Sequence, residues 1–348
     1  MSQPEPPPAS LRLRIDTQAL AANWRTLDAM SGEAAAGAAV KADAYGLGVD
    51  TVVPTIREAG ARHFFLAHWS EVPGVLAHTD GPSIAVLHGV LDAQDAAFGR
   101  ATGALPVINS VRQAALWQKT GGGPCHLMVD TGINRLGIAM DELGDPAITS
   151  LQVDTLMSHL ACADEDSAMN ARQLALFRDA VAVIDAAQYS LANSAGLALG
   201  PDYHFDLTRP GIALYGGIVR PELDGRIRQV AYPEAAILQT RQLQPGDSVG
   251  YNAKWTAEKP TRAATVSIGY ADGFLRALGP GGALQHGGRT LPILGRVSMD
   301  MVIVDASDTD LREGDFLEIP FEIREVAARS GLSQYELLTV LGKRFDPS

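Results

Sequence analysis

The sequence predicts an α/β protein in which an N-terminal (β/α)8 barrel of the TIM type is followed by a C-terminal β-rich domain. Eight short apolar segments alternate with helical patterns over roughly two hundred residues, which is the content that such a barrel needs. From about Arg220 onward, short strands separated by Gly, Pro and Asp turns replace the long helical patterns. No G-x-G-x-x-G motif follows the first apolar segment, which argues against a doubly wound dinucleotide-binding sheet.

The candidate barrel strands are short apolar runs that end in polar junctions. They are Ala38–Ala42, His63–Ala67, Ser83–His88, Leu105–Asn109, His126–Asp130, Leu156–Leu160, Tyr189–Asn193 and Gly211–Tyr215. Most of them are followed by an amphipathic helical segment, such as Ser110–Lys119 or Asp166–Ala187. This alternation predicts repeated βα units and therefore a parallel sheet.

The C-terminal part has the pattern of a separate β-rich domain. Helical patterns return only at Glu322–Ser330 and Gln334–Gly342. We predict the barrel at residues 16–222 and the β-rich domain at residues 223–348, with the alternating segment Leu11–Ile15 as a candidate strand of the second domain. The candidate strands after residue 222 are Ala235–Gln242, Ala263–Ile268, Leu291–Val297, Met301–Val304 and Phe316–Ile319.

Composition excludes several classes of protein. At 348 residues, 46% hydrophobic and 20% charged, the chain is typical of a soluble globular protein. Its formal net charge of -12 argues against a nucleic-acid partner, and no apolar run is long enough to span a membrane. Residues 1–10 are Pro-rich without the pattern of a signal peptide, and predict a disordered tail. The two cysteines show no redox or metal spacing, which predicts a reducing, cytoplasmic location.

One lysine stands at the end of a predicted strand of small residues. Lys41 follows Ala38–Val40 and precedes Tyr45-Gly46. Burial at such a strand end lowers the pKa of an amine, and an amine with a lowered pKa is a usable base or Schiff-base nucleophile. A lysine whose amine extends to water is the alternative that this stretch alone leaves open.

Other reactive side chains also fall where candidate strands end. In a TIM barrel the active site is built from the C-terminal strand ends and the loops that follow them. The sequence therefore predicts that these side chains meet at one end of the barrel. They are Lys41, Asp130, Arg135, His159, Asn193, Ser194 and Arg209.

A phosphate site is predicted between the last two strands. Barrels often bind phosphate there, which makes Ser194 and the Gly211 backbone candidate ligands. With Lys41 opposite, the pattern indicates a phosphorylated aldehyde held as a Schiff base. Both pyridoxal phosphate (PLP) and a sugar-phosphate aldolase intermediate fit that description. The spacing of His159, Cys162 and Asp164 fits no standard metal site, so no metal is predicted.

The motif Val40–Gly46 resembles the PLP-lysine signature of alanine racemases. Further motifs follow in the order of that family and cover nearly the whole chain. One motif alone would be weak evidence, but the ordered set is specific, and the sequence therefore resembles the alanine racemase family throughout. The other motifs are Asp130–Gly137, Ser158–Ala161, Asn193–Ala195, Arg209–Gly216, Val249–Tyr251, Ile268–Gly273, Gly295–Asp300 and Ser333–Leu338.

The resemblance implies a PLP-dependent racemase that interconverts L- and D-alanine with a base on each face of the cofactor. Lys41 would hold PLP and serve one face. Tyr251 of the partner subunit would serve the other, which requires a head-to-tail homodimer. His159 would hydrogen-bond that tyrosine and stack on the cofactor. Arg209 would face the pyridine nitrogen, and because a guanidinium cannot accept a proton, it would disfavour transamination.

The resemblance also implies the remaining ligands. The Arg135 guanidinium would lie near the cofactor phenolate. The substrate-binding residues would be Arg135, the Met299 amide and Tyr270. The other cofactor-binding residues would be Tyr45, Asn193, Ser194, Tyr335 and the amides of Gly211 and Ile212, most of them at the phosphate.

Several positions depart from the family pattern. Many members have a carbamylated lysine that orients the arginine equivalent to Arg135, whereas this chain has Met128 there. Asp130 or a bound anion would then have to orient Arg135. Leu47, Asp43 and Ser298 replace a frequent histidine, asparagine and cysteine. These changes bear on orientation and substrate range more than on the type of reaction.

Three alternatives remain open from the sequence. A racemase of another small amino acid, such as serine, fits the same motifs. A non-catalytic PLP-binding barrel has no use for a second domain that carries Tyr251. A decarboxylase or aldolase on a related barrel is disfavoured by Arg209, because such decarboxylases place an acidic group at the pyridine nitrogen.

Overall fold

The computed structural model describes residues 9–342 and 344–347. The chain forms two compact units: one extends from Thr17 to Arg228, and the other joins the N-terminal segment through Asp16 with the chain from Gln229 onward. The second unit includes the first strand, β1 (Leu11–Ile15). Residues 1–8 of the predicted tail lie outside the described residues. Ser10 lies within them, and its hydroxyl is 2.9 Å from that of Ser267.

The first unit alternates short strands with helices. Its strands are β2 (Ala35–Ala36), β3 (Ala38–Ala39), β4 (Phe64–Leu66), β5 (Ile84–Val86), β6 (Leu105–Ile108), β7 (Pro124–Met128), β8 (Gln152–Met157), β9 (Gln188–Ser190) and β10 (Leu207–Thr208). Its helices are α1 (Thr17–Met30), α2 (Lys41–Tyr45), α3 (Val49–Ala59), α4 (Val72–Leu76), α5 (Ala93–Thr102), α6 (Val111–Lys119), α7 (Pro146–Thr149) and α8 (Ala168–Val181).

These strands close into a parallel barrel. Strands β3 to β9 form one sheet in chain order, and β10 pairs in parallel with β2. Gly37 separates β2 from β3, and its amide donates to the Thr208 carbonyl at 2.9 Å, so both segments act as one strand. A parallel bridge between Asn193 and Arg209 joins the other edge to the last strand. The predicted (β/α)8 fold is confirmed.

The last predicted strand, Gly211–Tyr215, is wrong. The eighth strand is β10, and the chain forms a 3-10 helix at Ile212–Tyr215. All four residues of this helix are buried. A short buried apolar run looks the same in the sequence whether it is a strand or a helical turn, which is the reason for the error.

The core of the barrel wall lies between the sheet and its outer helices. Apolar residues of α6 and α8, such as Trp117 and Phe177, pack with Leu127 and Ile138 in one buried cluster. The ring of Phe177 meets that of Phe205 edge to face, with centroids 4.9 Å apart. Burial of one such side chain stabilises the fold by about 1.5–3 kcal/mol. This packing fixes the strands whose ends carry the site.

The second unit is built mainly of antiparallel strands, as predicted for a β-rich domain. Strand β1 pairs with the long strand β11, with Leu11 opposite Ala235. The remaining elements are β11 (Ala231–Leu243), β12 (Ser248–Val249), β13 (Trp255–Thr256), β14 (Thr261–Val266), β15 (Ala283–His286), β16 (Arg289–Pro292), β17 (Val302–Asp305), β18 (Phe316–Glu318), α9 (Ile323–Ser330), α10 (Gln334–Thr339) and β19 (Asp346–Pro347). Among the helices of the described residues, none is long and apolar enough to cross a membrane.

Candidate active site

Lys41 stands where the first barrel strand turns sharply. It begins the short helix α2, in which Ala42, Asp43 and Ala44 have left-handed φ angles of 55°, 54° and 53°. Each such residue costs roughly 1–2 kcal/mol, so tertiary contacts must hold the turn. The Asp43 side chain supplies one of them, because its Oδ1 accepts from the Val49 amide at 2.9 Å. Strained segments of this kind concentrate at functional sites.

The environment of the Lys41 amine favours its neutral form. Burial is the main cause that lowers its pKa, and the positive charge of Arg135 lowers it further. The carboxylate of Glu71 acts in the opposite direction and raises this pKa. An amine with a lowered pKa is neutral in a larger fraction of molecules at pH 7, as a base or nucleophile requires.

A cradle of hydrogen-bonding groups lies at the end of the last barrel strand. The Ser194 hydroxyl oxygen accepts from the amides of Gly211 at 2.8 Å and Ala213 at 3.3 Å. A Cβ added to Gly211 would lie 2.4 Å from the Tyr45 hydroxyl oxygen, so that hydroxyl closely approaches the same backbone. Hydroxyl groups and the amides of a helical N-terminus form a site that suits a phosphate.

Two further residues support this cradle. The Tyr45 ring stacks on Tyr215 with centroids 4.8 Å apart, and the Tyr215 hydroxyl donates to the Ala39 carbonyl at 2.8 Å. The Asn193 side-chain oxygen accepts from the Gly196 amide at 2.8 Å and thereby holds the turn that contains Ser194. The structure therefore brings together Tyr45, Asn193, Ser194, Gly211 and Ile212, all predicted to bind the cofactor.

Arg209 is buried in the barrel with its charge held in place. Its guanidinium donates to the Ser190 hydroxyl and to the Ser158 carbonyl. It lies 6.0 Å from the centroid of the Phe65 ring. Burial lowers the pKa of Arg209 to about 10, so it remains a cation at pH 7. It is thus a fixed donor that cannot accept a proton.

His159 lies next to a cluster of positive groups. Burial is the main cause that lowers the pKa of its imidazole far below the ordinary value, and Arg209, Arg135 and Lys41 each lower it further. The ring is therefore neutral at pH 7, with one nitrogen able to accept a hydrogen bond. Its carbonyl accepts from the Gln173 side chain at 2.9 Å, which fixes this strand end.

The loop before Arg135 is organised by Asp130. One carboxylate oxygen of Asp130 accepts from the amides of Gly132 at 2.7 Å and Asn134 at 3.2 Å. Asp130 thus holds the backbone that leads to Arg135, whose charge acts on Lys41 and His159. The Met128 side chain is buried at the end of β7.

Four residues predicted for the site lie in the second unit. Tyr251 is 69% exposed and follows Gly250, whose φ is 69°. Met299 is 53% exposed, and Tyr335 on α10 is 44% exposed. The Ala271 amide donates to the Met299 carbonyl at 3.0 Å, which brings the turn of Tyr270 against the loop of Met299.

An arginine near the C-terminus joins the same two segments. Arg344 pairs with Asp272 at 2.7 Å and with Asp300 at 2.9 Å. Asp272 closes the turn that begins at Tyr270, and Asp300 follows Met299 directly. The two segments that carry predicted substrate-binding residues are therefore fixed to one cation.

Three residues with clear roles in this geometry were missed in the sequence. Tyr215 was assigned to a strand, although its motif position beside Gly211 could have marked it. Ser190 and Glu71 carry no motif, and only their positions at or near strand ends point to the site. Among the described residues, no group of three or more His, Cys, Asp or Glu side chains could hold a metal ion.

The residues present fit pyridoxal phosphate. Lys41 would offer an amine for its carbonyl, and the hydroxyls of Ser194 and Tyr45 would offer donors for its phosphate. Arg209 would offer a fixed cation that can donate to its ring nitrogen. The fold and these residues together are typical of barrel enzymes that use a phosphorylated aldehyde cofactor.

Comparisons with known proteins narrow this class. Residues 15–219 match the family model "Alanine racemase, N-terminal domain", and residues 230–347 match "Alanine racemase, C-terminal domain". The chain is 40% identical to a biosynthetic alanine racemase of Agrobacterium fabrum, over 97% of this chain and 93% of that protein. It is 39% identical to a catabolic alanine racemase of the same organism, over 97% and 91%.

A solved structure gives the same result. The crystal structure of alanine racemase from Bartonella henselae, with covalently bound pyridoxal phosphate, matches with a TM-score of 0.89 and 35% identity. The match covers 98% of this chain and 99% of that one. The chain belongs to the alanine racemase family. The family, the racemase activity and the PLP dependence expected from the sequence are confirmed, and the binding-protein and decarboxylase alternatives are not favoured.

Proposed function

We propose that this chain interconverts L- and D-alanine with two bases, Lys41 of one subunit and Tyr251 of the partner subunit. The observation that carries the proposal is that Lys41 follows a strand bonded to the segment that leads into the Ser194–Gly211 cradle, because the Ala39 amide donates to the Pro210 carbonyl at 2.9 Å. Burial lowers the pKa of the Lys41 amine, which suits the same role. When bound, PLP supplies an electron-withdrawing ring that makes the α-hydrogen of an amino acid acidic. Lys41 removes or returns that proton on one face, and the partner subunit's Tyr251 does so on the other.

The charged Arg209 and the neutral His159 determine which proton transfers are favoured. Arg209 remains protonated and can only donate to the ring nitrogen, so the electron-withdrawing power of the ring stays limited and proton return to the substrate α-carbon is favoured. His159 is neutral and can accept a hydrogen bond from the partner subunit's Tyr251. That hydrogen bond would hold the tyrosine oxygen at one position, where it can take up and return a proton.

The remaining roles follow from hydrogen-bonding capacity. Arg135, the Met299 amide and Tyr270 bind the substrate carboxylate, with Arg135 also near the cofactor phenolate. Bidentate contact with a carboxylate is the geometry for which a guanidinium is best suited. The phosphate and the turn beside it are bound by Tyr45, Asn193, Ser194, Tyr335 and the amides of Gly211 and Ile212.

The working form that we propose is a head-to-tail homodimer in the cytoplasm. The second unit exposes large side chains, including Tyr251 and Met299, and clusters of exposed apolar side chains are typical of interfaces. Cys125 and Cys162 are free thiols, which supports a reducing compartment. A dimer in which each second unit completes the other subunit's site explains why Tyr251 is exposed.

Chiral analysis of the purified protein with added PLP tests this function. L-alanine, D-alanine and a panel that includes L-serine and D-serine are incubated separately. We expect each alanine isomer to approach an equal mixture, faster than any other amino acid, and Lys41→Ala to abolish the reaction. Racemisation of serine but not of alanine would show that the enzyme is a serine racemase. No racemisation of any amino acid with PLP bound would overturn the proposal.

A further inference from the structure

Glu71 caps the loop that follows the second barrel strand. It is the last residue of a 3-10 helix, Trp69–Glu71, which begins three residues after the end of β4. Its Oε2 accepts from the amides of Ala67 and His68, both at 2.8 Å. A carboxylate that returns to the start of its own helix is an ordinary capping box, and this half of the side chain needs no further explanation.

The second oxygen of Glu71 makes a contact that capping does not require. Oε1 accepts from the amide of Ala42, the residue directly after Lys41. One carboxylate therefore joins the turn after the first barrel strand to the loop after the second. Ala42 is also the first of the residues with left-handed φ, so the bond holds the strained turn at its start.

The charge of Glu71 reaches the lysine as well as its backbone. It opposes the effects of burial and of Arg135 on the Lys41 amine. Two imidazoles also face this region: the rings of His68 and His88 meet edge to face with centroids 4.3 Å apart, and Lys41 and Glu71 both act on His88. Glu71 is thus a negative group among several basic ones.

We propose that Glu71 is a positioning residue for Lys41. It fixes the turn from which the lysine side chain leaves the strand, and its charge balances the basic groups around the amine. The inference rests on the proposed role of Lys41 as the residue that holds PLP. A fixed turn keeps the amine available at one place, both for holding the cofactor and for the return of a proton to the substrate.

Two substitutions separate geometry from charge. Glu71→Gln keeps the length but leaves one acceptor oxygen, so either the cap or the Ala42 bond is lost together with the charge. Glu71→Asp keeps the charge but shortens the side chain, so that it cannot serve both ends. Glu142→Gln is the matched control, because Glu142 closes another barrel-loop 3-10 helix and its Oε2 accepts only a capping bond, from Ala139 at 3.2 Å among the contacts described.

The readout is the attachment of PLP to Lys41 and does not depend on turnover. The holoenzyme is mixed with hydroxylamine, and loss of the visible absorbance of lysine-bound cofactor gives a release rate. Loss of a hydrogen bond to a charged acceptor predicts release about tenfold faster in Glu71→Gln and Glu71→Asp than in wild type or Glu142→Gln. Borohydride reduction and mass spectrometry of the Lys41 peptide identify the attachment site.

A pH titration of the same absorbance tests the role of charge. In the holoenzyme the titrating group is the nitrogen that joins Lys41 to PLP, and a nearby carboxylate favours its protonated form. Loss of the negative charge in Glu71→Gln should therefore shift the spectral transition to lower pH, whereas Glu71→Asp should shift it less. Wild-type release rates and titration curves in both variants would overturn the inference. Near-wild-type circular dichroism excludes misfolding, and a racemisation failure in the wild type with normal PLP attachment would count against the proposed function alone.

Discussion

The hydroxyl oxygen of Ser194 lies 2.8 Å from the amide nitrogen of Gly211, at the point where the eighth barrel strand gives way to a 3-10 helix. The same oxygen also accepts from Ala213. The Ser194 side chain, which follows β9, thereby fixes the backbone amides that follow β10. The hydroxyls of Ser194 and Tyr45, held next to this backbone, form the part of the site that suits a phosphate.

Gly211→Ala should weaken binding of PLP. The added Cβ would lie 2.4 Å from the Tyr45 hydroxyl oxygen, so the tyrosine or the turn must move away from the cradle. We expect the apparent Kd for PLP, measured by fluorescence titration of the apoenzyme, to rise by about tenfold or more. Gly144→Ala is the control, because a Cβ there meets no atom within 4 Å. Equal affinity in both variants would count against the cradle.

Arg209→Glu should change the course of the reaction as well as its rate. A carboxyl group can share a proton with the ring nitrogen, whereas Arg209 stays protonated and can only donate. We expect racemisation of alanine to fall by about a hundredfold or more and formation of pyruvate to rise relative to it. Chiral analysis and a pyruvate assay on the same samples measure both. An unchanged ratio of pyruvate to racemised product would contradict this role of Arg209.

The stability of the barrel should fall in acid because of His126. This side chain is buried on β7, and burial lowers its pKa to about 4 against the ordinary 6.5, although Asp154 opposes the shift. The unfolded chain therefore binds a proton more readily, and stability present above pH 6.5 is lost as the pH falls toward 4. The loss should reach up to about 3 kcal/mol.

Denaturant unfolding followed by circular dichroism between these pH values measures the effect. The difference in the free energy of unfolding between wild type and His126→Asn should be largest above pH 6.5 and should become smaller as the pH falls toward 4. His78→Asn is the control, because the His78 side chain is less buried and lies 2.7 Å from the carboxylate of the exposed Asp50. Parallel pH curves for wild type and His126→Asn would show that this histidine does not carry the dependence.

Bicarbonate should leave the activity unchanged. The resemblance to alanine racemases implies a carbamylated lysine at the position of the buried Met128, and a thioether cannot form a carbamate. Asp130 instead holds the loop before Arg135 through two backbone amides. Racemisation rates with and without added bicarbonate, in buffer freed of carbon dioxide, should agree. A clear dependence would place a carbamate on another amine.

The barrel and most of its site could be predicted because strand ends carry recognisable motifs. Lys41, His159, Ser194 and Arg209 each follow a short apolar run, and the closed parallel sheet brings those ends together. The prediction of a strand at Gly211–Tyr215 was wrong because a buried 3-10 helix and a buried strand both consist of apolar residues.

Other features lie beyond what a single sequence indicates. The bond from Ala42 to Glu71 joins two strand ends that are distant in the chain, and no local pattern marks a carboxylate that binds amides on both. The left-handed φ angles of Ala42, Asp43 and Ala44 are equally unexpected, because these residues disfavour that conformation and adopt it only under tertiary constraint.

Mixing two inactive variants tests the shared two-base site most directly. Lys41→Ala and Tyr251→Phe are each purified, combined under conditions that exchange subunits, and assayed for alanine racemisation. In a mixed dimer, one site receives Lys41 and the partner subunit's Tyr251 intact, while the other lacks both. Random exchange therefore predicts recovery of about one quarter of wild-type activity. A mixture that remains as inactive as its parents, with exchange verified by mass spectrometry, would contradict the account.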